Sequence, residues 1–502
     1  MGTEIELKLF TSRSALRKAM VLPWLRKMTG DAVKHQHLTS VYFDTPKFAL
    51  RDHGVSLRVR RAGDQRLQTI KSTSGALVAR DEWEQRIEGD RPKLQLARKT
   101  ALAPLLSGKI KAQLQPVFET EVERVTMPVR VGGSEIELAF DSGRINTAAD
   151  HAEINEIEIE LTHGERHDAA LLARRLARSV PISYEPLAKS ERGYALLEGS
   201  SGGPVFARPI SLPPSATTED AFAIIGFECL RHIAANDAAV RRANPEGIHQ
   251  MRVGLRRLRA ALSLFKQQLR GSDFRKLKAE LVWLGEQLGP ARDYEVLVSK
   301  TLGPLRSSHP DRQEFAVLED DFENRCKAGS AAAKAAVEGE RYKWILLDTA
   351  LWLFDGDWRN NPDALETSLR KRPIERFAKQ ELARRTRKIS KRIRKLRTME
   401  PRRRHKVRIA VKKVRYAREF FESLRPDSRG RRIDRALKKL QSALGSLNDM
   451  TVHSKLARGF ARINPATRKA YAIGYLTGQE DVRSQSIVAE AVRAGKQLRR
   501  AM

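Results

Sequence analysis

Cysteine is nearly missing from this chain. Two residues, Cys229 and Cys326, stand among 502, which excludes a disulfide framework and a thiolate zinc site. Long apolar runs are missing too: none approaches the ~18 residues that a membrane span needs. The chain opens on a charged segment, so a soluble cytoplasmic protein without a signal peptide or membrane segment is expected. Aromatic residues make up 6%, and the basic stretches lack the interleaved aromatics of a base-stacking surface. No Ser–His or Cys–His nucleophile arrangement is evident. Acid is scarce in one part only. Residues 1–200 hold 31 Lys and Arg against 27 Asp and Glu, a net of +4, whereas the remainder holds 63 against 34, a net of +29. The second part therefore reads as a basic module with a polyanionic partner.

What the first part has is alternating charge. Glu4, Glu6 and Lys8 alternate with Ile5, Leu7 and Leu9, and a strand puts the two sets on opposite faces. The pattern returns as Arg58 and Arg60, then as Arg80, Glu82 and Glu84, then as Glu119, Glu121 and Glu123. It returns again as Glu135 and Glu137 with Asp141, and as Glu156, Glu158 and Glu160. One such run is an ordinary solvated sheet face. Six runs in one segment predict a closed antiparallel barrel whose charged faces line a wet lumen. Carboxylates mixed with guanidinium and ammonium groups suit a polyanion chelated to a divalent metal. Oxygen donors without a Cys or His set point to Mg²⁺ or Mn²⁺.

Helical spacing predicts helices over 12–28, capped by Ser12, and over 167–179. The stretch 200–217 is rich in Gly, Pro and Ser and reads as a linker. It separates a strand-rich domain, 1–199, from an all-helical domain, 218–502. The helical domain contains a repeat. His249, Arg252, Arg256, Arg257 and Arg259 recur 156 residues later as His405, Arg408, Lys412, Lys413 and Arg415. Gly289 and Asp293 recur as Gly445 and Asp449 at the same offset. Two homologous halves, about 218–373 and 374–502, are expected to face each other across a pseudo-two-fold axis.

On a helix, His249, Arg252, Arg256 and Arg259 fall within an arc of about 80°. No Asp or Glu lies between His249 and Phe265, although a merely solvated face gains from i,i+4 Glu–Lys pairs. The ten repeated residues are therefore the expected contacts to a polyanion. For the two histidines a phosphate contact, a structural hydrogen bond and, more weakly, metal ligation stay open. The rival partner, nucleic acid, is disfavoured: no nucleic-acid motif is present.

The residues also match known families. Glu4-Ile-Glu-Leu-Lys8, Tyr42-Phe-Asp-Thr-Pro46, Leu57-Arg-Val-Arg60, Thr69-Ile-Lys71, Arg80-Asp-Glu82, Arg124, Glu137 to Asp141, Glu156 to Glu160 and Lys189 to Gly193 resemble the CYTH superfamily of triphosphate tunnel metalloenzymes. The likeness covers roughly 1–199. Residues 218–502 resemble a CHAD domain. The combination resembles a bacterial-type CYTH–CHAD inorganic triphosphatase. The resemblance implies an eight-stranded antiparallel tunnel that hydrolyses inorganic triphosphate to diphosphate and phosphate with two Mg²⁺ or Mn²⁺ ions. It implies metal coordination by Glu4, Glu6, Glu158 and Glu160, with Glu137 and Asp141 close by. It implies phosphate contacts from Lys8, Arg58, Arg60, Lys71, Arg80, Arg124 and Lys189, and places Glu82 with Glu4, Glu6, Lys8, Arg58 and Arg60 in the catalytic set. One departure is local: Asn is expected just before the Tyr-Phe-Asp-Thr-Pro stretch, where Ser40 and Val41 stand. The helical domain is expected to bind long-chain polyphosphate, which also suggests association with polyphosphate granules. The alternatives are a polyphosphate-binding protein without turnover, or hydrolysis of another triphosphate such as thiamine triphosphate.

Overall fold

The computed structural model describes residues 3–29, 32–72, 79–269, 271–360, 363–424, 428–463 and 467–502. It divides into two compact units, one of 1–205 with 226–238 and 339–360, the other of 206–225 with 239–338 and 361–502, so two stretches of the expected helical domain belong to the first unit. The first contains nine strands: β1 (Thr3–Thr11), β2 (Lys34–Asp44), β3 (Val55–Ala62), β4 (Gln65–Ser72), β5 (Ala79–Arg86), β6 (Gln115–Val131), β7 (Ser134–Asn146), β8 (His151–His163) and β9 (Ile182–Tyr184). The order is β5-β4-β3-β2-β6-β7-β8-β1, and β1 pairs back onto β5. Eight antiparallel strands thus close into a barrel, with β9 added along the end of β1. The closing seam is short, Thr3–Ile5 of β1 against Ala79–Asp81 of β5.

Tight turns set the register. Gly63 (φ 57°) and Gly132 (φ 58°) take left-handed backbone in the two-residue turns joining β3 to β4 and β6 to β7. Outward-facing Leu57, Val59 and Ile70 are buried under Leu50, Ala97 and Leu102, each full burial being worth about 1.5–3 kcal/mol. Their neighbours Arg58, Arg60 and Lys71 turn inward.

Two expectations fail locally. The helix expected over 12–28 is two helices, Arg13–Met20 and Pro23–Thr29. Pro23 cannot continue a helix but suits the first position of a new one. Ser12 does cap the first, accepting from the Ala15 N–H at 3.2 Å. The second failure is in β6. Glu119, Glu121 and Glu123 are exposed on the outer face, where His37 pairs with Glu121 and Glu123. Arg124 has the opposite parity and is the lumen residue.

The Tyr-Phe-Asp-Thr-Pro stretch has a structural role at Asp44. Its buried carboxylate accepts from the N–H groups of Thr45, Leu50 and Arg51 and from the Tyr194 hydroxyl at 2.7 Å. It thereby caps the turn Ala49–Asp52 and ties it to helix Lys189–Leu197.

The second unit is helical, and its helices keep the offset of 156. Pro245–Leu264 corresponds to Pro401–Phe420, and the starts Ser272 and Ser428 also match. Continuity differs beyond those starts. Ser272–Gln287 ends before Gly289–Leu297 begins with Pro290, whereas Ser428–Ile463 runs on through the equivalent Ser446. Phe265 stacks on Phe377 at 5.0 Å and meets Phe421, its own repeat equivalent, at 6.4 Å. Among the described residues, no helix is long and apolar enough to cross a membrane.

Candidate functional site

The barrel encloses a cavity of about 600 Å³. Glu6, Lys8, Arg58, Arg60, Lys71, Glu82, Arg124, Glu137, Glu158, Glu160 and Lys189 line it, together with Tyr42 and Glu84. Strand register sorts these charges into walls. Glu6 lies directly opposite Glu160, and Glu160 opposite Glu137, so β1, β8 and β7 carry a row of three carboxylates. Opposed residues on antiparallel strands share a face and sit about 5 Å apart. Lys8 and Glu158 form the next row at 3.5 Å. The wall of β3 and β4 carries Arg58, Arg60 and Lys71. Glu82 on β5 steadies it, 2.8 Å from Lys71 and 3.8 Å from Arg58.

One end of the lumen is a dense ion cluster. Arg124 grips Asp141 with two hydrogen bonds, at 2.7 and 2.6 Å, and reaches Glu158 at 2.5 Å. Lys189 lies within 2.9 Å of Asp141, Glu156 and Glu158. Arg192 closes on Glu156. Burial opposes the charges of Arg124, Asp141, Glu158 and Lys189. Even so, Lys189 and Arg124 hold the Glu158 carboxyl well below its usual range, and Lys189 holds Asp141 down. In return, the carboxylates hold Arg124 and Lys189 well above theirs. Oxygens of Asp141, Glu156 and Glu158 lie within 4.8 Å of one another, close enough to share a metal ion. Three cations already compensate them.

Arg60 is placed differently. Burial, then repulsion by Arg58 and Arg124, lowers its pKa to about 10. A cation pressed by cations is stabilised by an incoming anion. Tyr42, buried at the same wall, has its pKa lowered: burial opposes this, but Arg58 outweighs it.

Glu4 and Arg80 occupy β1 and β5 opposite each other, but their side chains lie outside the described residues. Asp141 does not reach the open cavity; it is fully buried against Arg124. Tyr42, Glu84 and Glu156 are site residues to which the sequence alone assigns no role. Glu84 and Glu156 stand in its alternating runs; Tyr42 stands in a motif that serves there only as a family mark.

The helical unit gathers cations from both repeats. Arg252 donates to the Leu288 carbonyl at 2.9 Å, to that of Gly289, and to Asp293 at 3.2 Å. Its equivalent Arg408 stands 4.0 Å from Asp449, the equivalent acid. The charge of Arg256 reaches Arg408 and Lys412. Burial, then Arg408 and Arg256, push Lys412 down to about 8. The Nε groups of Arg256 and Arg408 are buried without a hydrogen-bond acceptor among the described residues. His249 is pushed down to about 4 by burial and by Arg292 and Arg256. His405 instead meets Asn448 at 2.7 Å. Arg415 adds its charge beside Lys412, and Arg259 adds its own beside Lys413. Arg257 does not join them. It is 1% exposed and pairs with Glu419 at 2.9 Å, one position round the helix from Arg256.

Two family models match the chain. The CYTH domain model matches residues 2–194 and the CHAD domain model matches 225–458. An inorganic triphosphatase of Haemophilus influenzae is 33% identical over 205 residues, 39% of this chain and 55% of that protein. An uncharacterised protein of Mycobacterium tuberculosis is 25% identical over 334 residues, 62% of each chain. The chain thus spans little more than half the length of these relatives. The crystal structure of the CHAD domain from the plant Ricinus communis is 31% identical with a TM-score of 0.51, covering 58% of this chain and 96% of that one.

Proposed function

The chain belongs to the CYTH and CHAD domain families, and we propose that it hydrolyses inorganic triphosphate in the barrel and binds polyphosphate on the helical unit. One observation carries the first part: a carboxylate row and a guanidinium and ammonium wall line the same barrel cavity.

Glu6, Glu160 and Glu137 line the cavity from three adjacent strands and would supply oxygen donors to a hard divalent cation, Mg²⁺ or Mn²⁺, with Lys8 3.4 Å from Glu6. Glu4 belongs with them by its place on β1. The cluster of Asp141, Glu156 and Glu158 fits a metal less well, since Arg124, Lys189 and Arg192 already neutralise it. Asp141 then serves to aim Arg124 and Lys189. The metal, when bound, neutralises phosphate charge and lowers the pKa of bound water.

The chain's own residues do the rest. Arg58, Arg60 and Lys71 hold the substrate's oxygens, and Lys8 reaches in from the opposite wall. Glu82 orients Lys71 and Arg58. Water attacks the terminal phosphorus in line, the anhydride P–O bond breaks, diphosphate leaves, and one of the water's protons passes to solvent while the other stays on the released phosphate. Positioning and charge neutralisation supply the catalysis.

The basic groove between helices Pro245–Leu264 and Pro401–Phe420 takes the longer polymer. Buried, unpartnered Nε donors on Arg256 and Arg408 support this reading. The test is a panel of triphosphate, thiamine triphosphate, ATP and long polyphosphate, each with Mg²⁺, Mn²⁺ or chelator. Metal-dependent phosphate release fastest from inorganic triphosphate is expected. Binding without turnover would make the protein a polyphosphate binder, and preference for thiamine triphosphate would reassign the substrate.

A further inference from the structure

The helix Ile374–Ile393 has a face that neither site above uses. Arg376, Lys379, Arg384, Arg387, Lys388 and Lys391 stand exposed together along it. From Arg376 to Lys391 the face extends about 22 Å at the helical rise per residue. Two acids border it, and exposed Glu375 precedes Lys379 by one turn. Glu381 sits at its edge, 12% exposed, held by Arg384 at 2.7 Å and Arg385 at 2.9 Å.

The repeat shows that the fold does not require this charge. The matching helix of the first half is Thr218–Ala234. At the same offset, Lys379 corresponds to Ala223 and Lys391 to Ala235, while Arg387 corresponds to Arg231, which is fully buried. Only the second half turns this helix into an exposed row of cations. The row also adjoins the groove. Arg385 donates to the Ser263 carbonyl at 2.8 Å, at the end of helix Pro245–Leu264. Around that junction the charges of Arg385, Lys278, Arg259 and Lys266 all bear on Lys413.

We propose that the outer face of helix Ile374–Ile393 is a second anchoring surface for linear polyphosphate, continuous with the groove, so that the helical unit selects long chains over short ones. This rests on the groove reading above. No exposed large apolar side chain lies on the face, which gives bases nothing to stack on and lipid nothing to receive. Its chemistry is that of a phosphate polymer met charge by charge.

The full-length chain tests this. Lys379→Glu, Arg387→Glu and Lys391→Glu together should weaken binding of chains of ~100 phosphates at least ~10-fold at ~150 mM salt and lower the salt slope by about three. Chains of ~10 phosphates should bind within about twofold of normal, since the groove alone holds them. Circular dichroism and Tm check the fold. A control triple of equal charge change, Arg98→Glu, Lys99→Glu and Lys111→Glu, should leave both lengths unaffected. Unchanged long-chain binding overturns the proposal, as does an equal loss in the control. A larger loss for single-stranded DNA than for polyphosphate overturns the assigned polymer. The groove is tested apart, with Arg252→Glu and Arg256→Glu. If that pair leaves both lengths unchanged, the groove reading fails, whatever the outer face does.

Discussion

The barrel and the helical unit both collect cations, but they treat them oppositely. In the barrel nearly every cation is answered within reach by a carboxylate: Arg124 by Asp141, Lys71 by Glu82, Lys189 by three acids. In the helical unit Arg256, Arg408 and Lys412 press on one another, with Asp293 beside Arg252 and Asp449 beside Arg408 as the nearby acids. The first arrangement is bipolar and rigid, suited to fixing a small anion beside a metal. The second is unipolar and under electrostatic tension, which a bound polyanion relieves. Position suits chemistry and net charge suits capture.

The sharpest way to break this contrast is at the carboxylate row. Glu6→Ala or Glu160→Ala should cut turnover by at least ~100-fold at saturating metal, with the fold intact. Near-normal phosphate release would remove the row from the chemistry. Asp141→Asn sharpens the division inside the barrel. Breaking a buried ion pair should cost about 3–5 kcal/mol in urea unfolding, with or without metal. If only the metal-loaded protein is destabilised, Asp141 is a ligand after all. Arg60→Ala should raise the KM for triphosphate by about 10–100-fold. Lys at this position should rescue only partly, having no planar fork.

The groove's tension has a pH signature. Free Lys412 loses its proton near pH 8, whereas a bound polyanion favours the charged form and raises that pKa. Binding therefore takes up a proton above pH 8, and polyphosphate affinity should fall as pH rises from 8 toward 10. Calorimetry in buffers of different ionisation enthalpy measures the uptake, and Lys412→Arg should flatten the slope. The smallest effect concerns His249. Its folded pKa of about 4 lies below the ordinary 6.5, so the unfolded chain protonates first. Stability should decline as pH drops from 6.5 to 4, and His249→Gln should remove part of that decline.

Much of this is readable from residue order, within definite limits. The offset of 156 foretells helix starts because a repeat needs no knowledge of which face is buried. The lumen is harder. Alternation announces two faces but not which one turns inward, so Glu119, Glu121 and Glu123 read as lumen residues although only Arg124 is one. An uncovered stretch of barrel wall accepts charge on its outer face as readily as on its inner one. Arg257 misleads for a related reason. One step along a helix is 100° of rotation, enough to carry it from groove to core. Asp141 sits in the expected neighbourhood, but its burial against Arg124 depends on strand register, which spacing does not encode.

The seam of the barrel governs the order in which the protein can assemble. The first strand made, β1, is wedged between β5 and β8, with β9 added at its end. On the ribosome it must wait, unpaired, until those later strands exist. Glu6 and Lys8 reach their partners Glu160 and Glu158 only at that final zipping. Such distant pairing is slow and leaves an open strand edge exposed meanwhile. The charges alternating along β1 protect it during the wait, since they discourage pairing with a neighbouring nascent chain. The residues that line the cavity also guard the chain before a cavity exists.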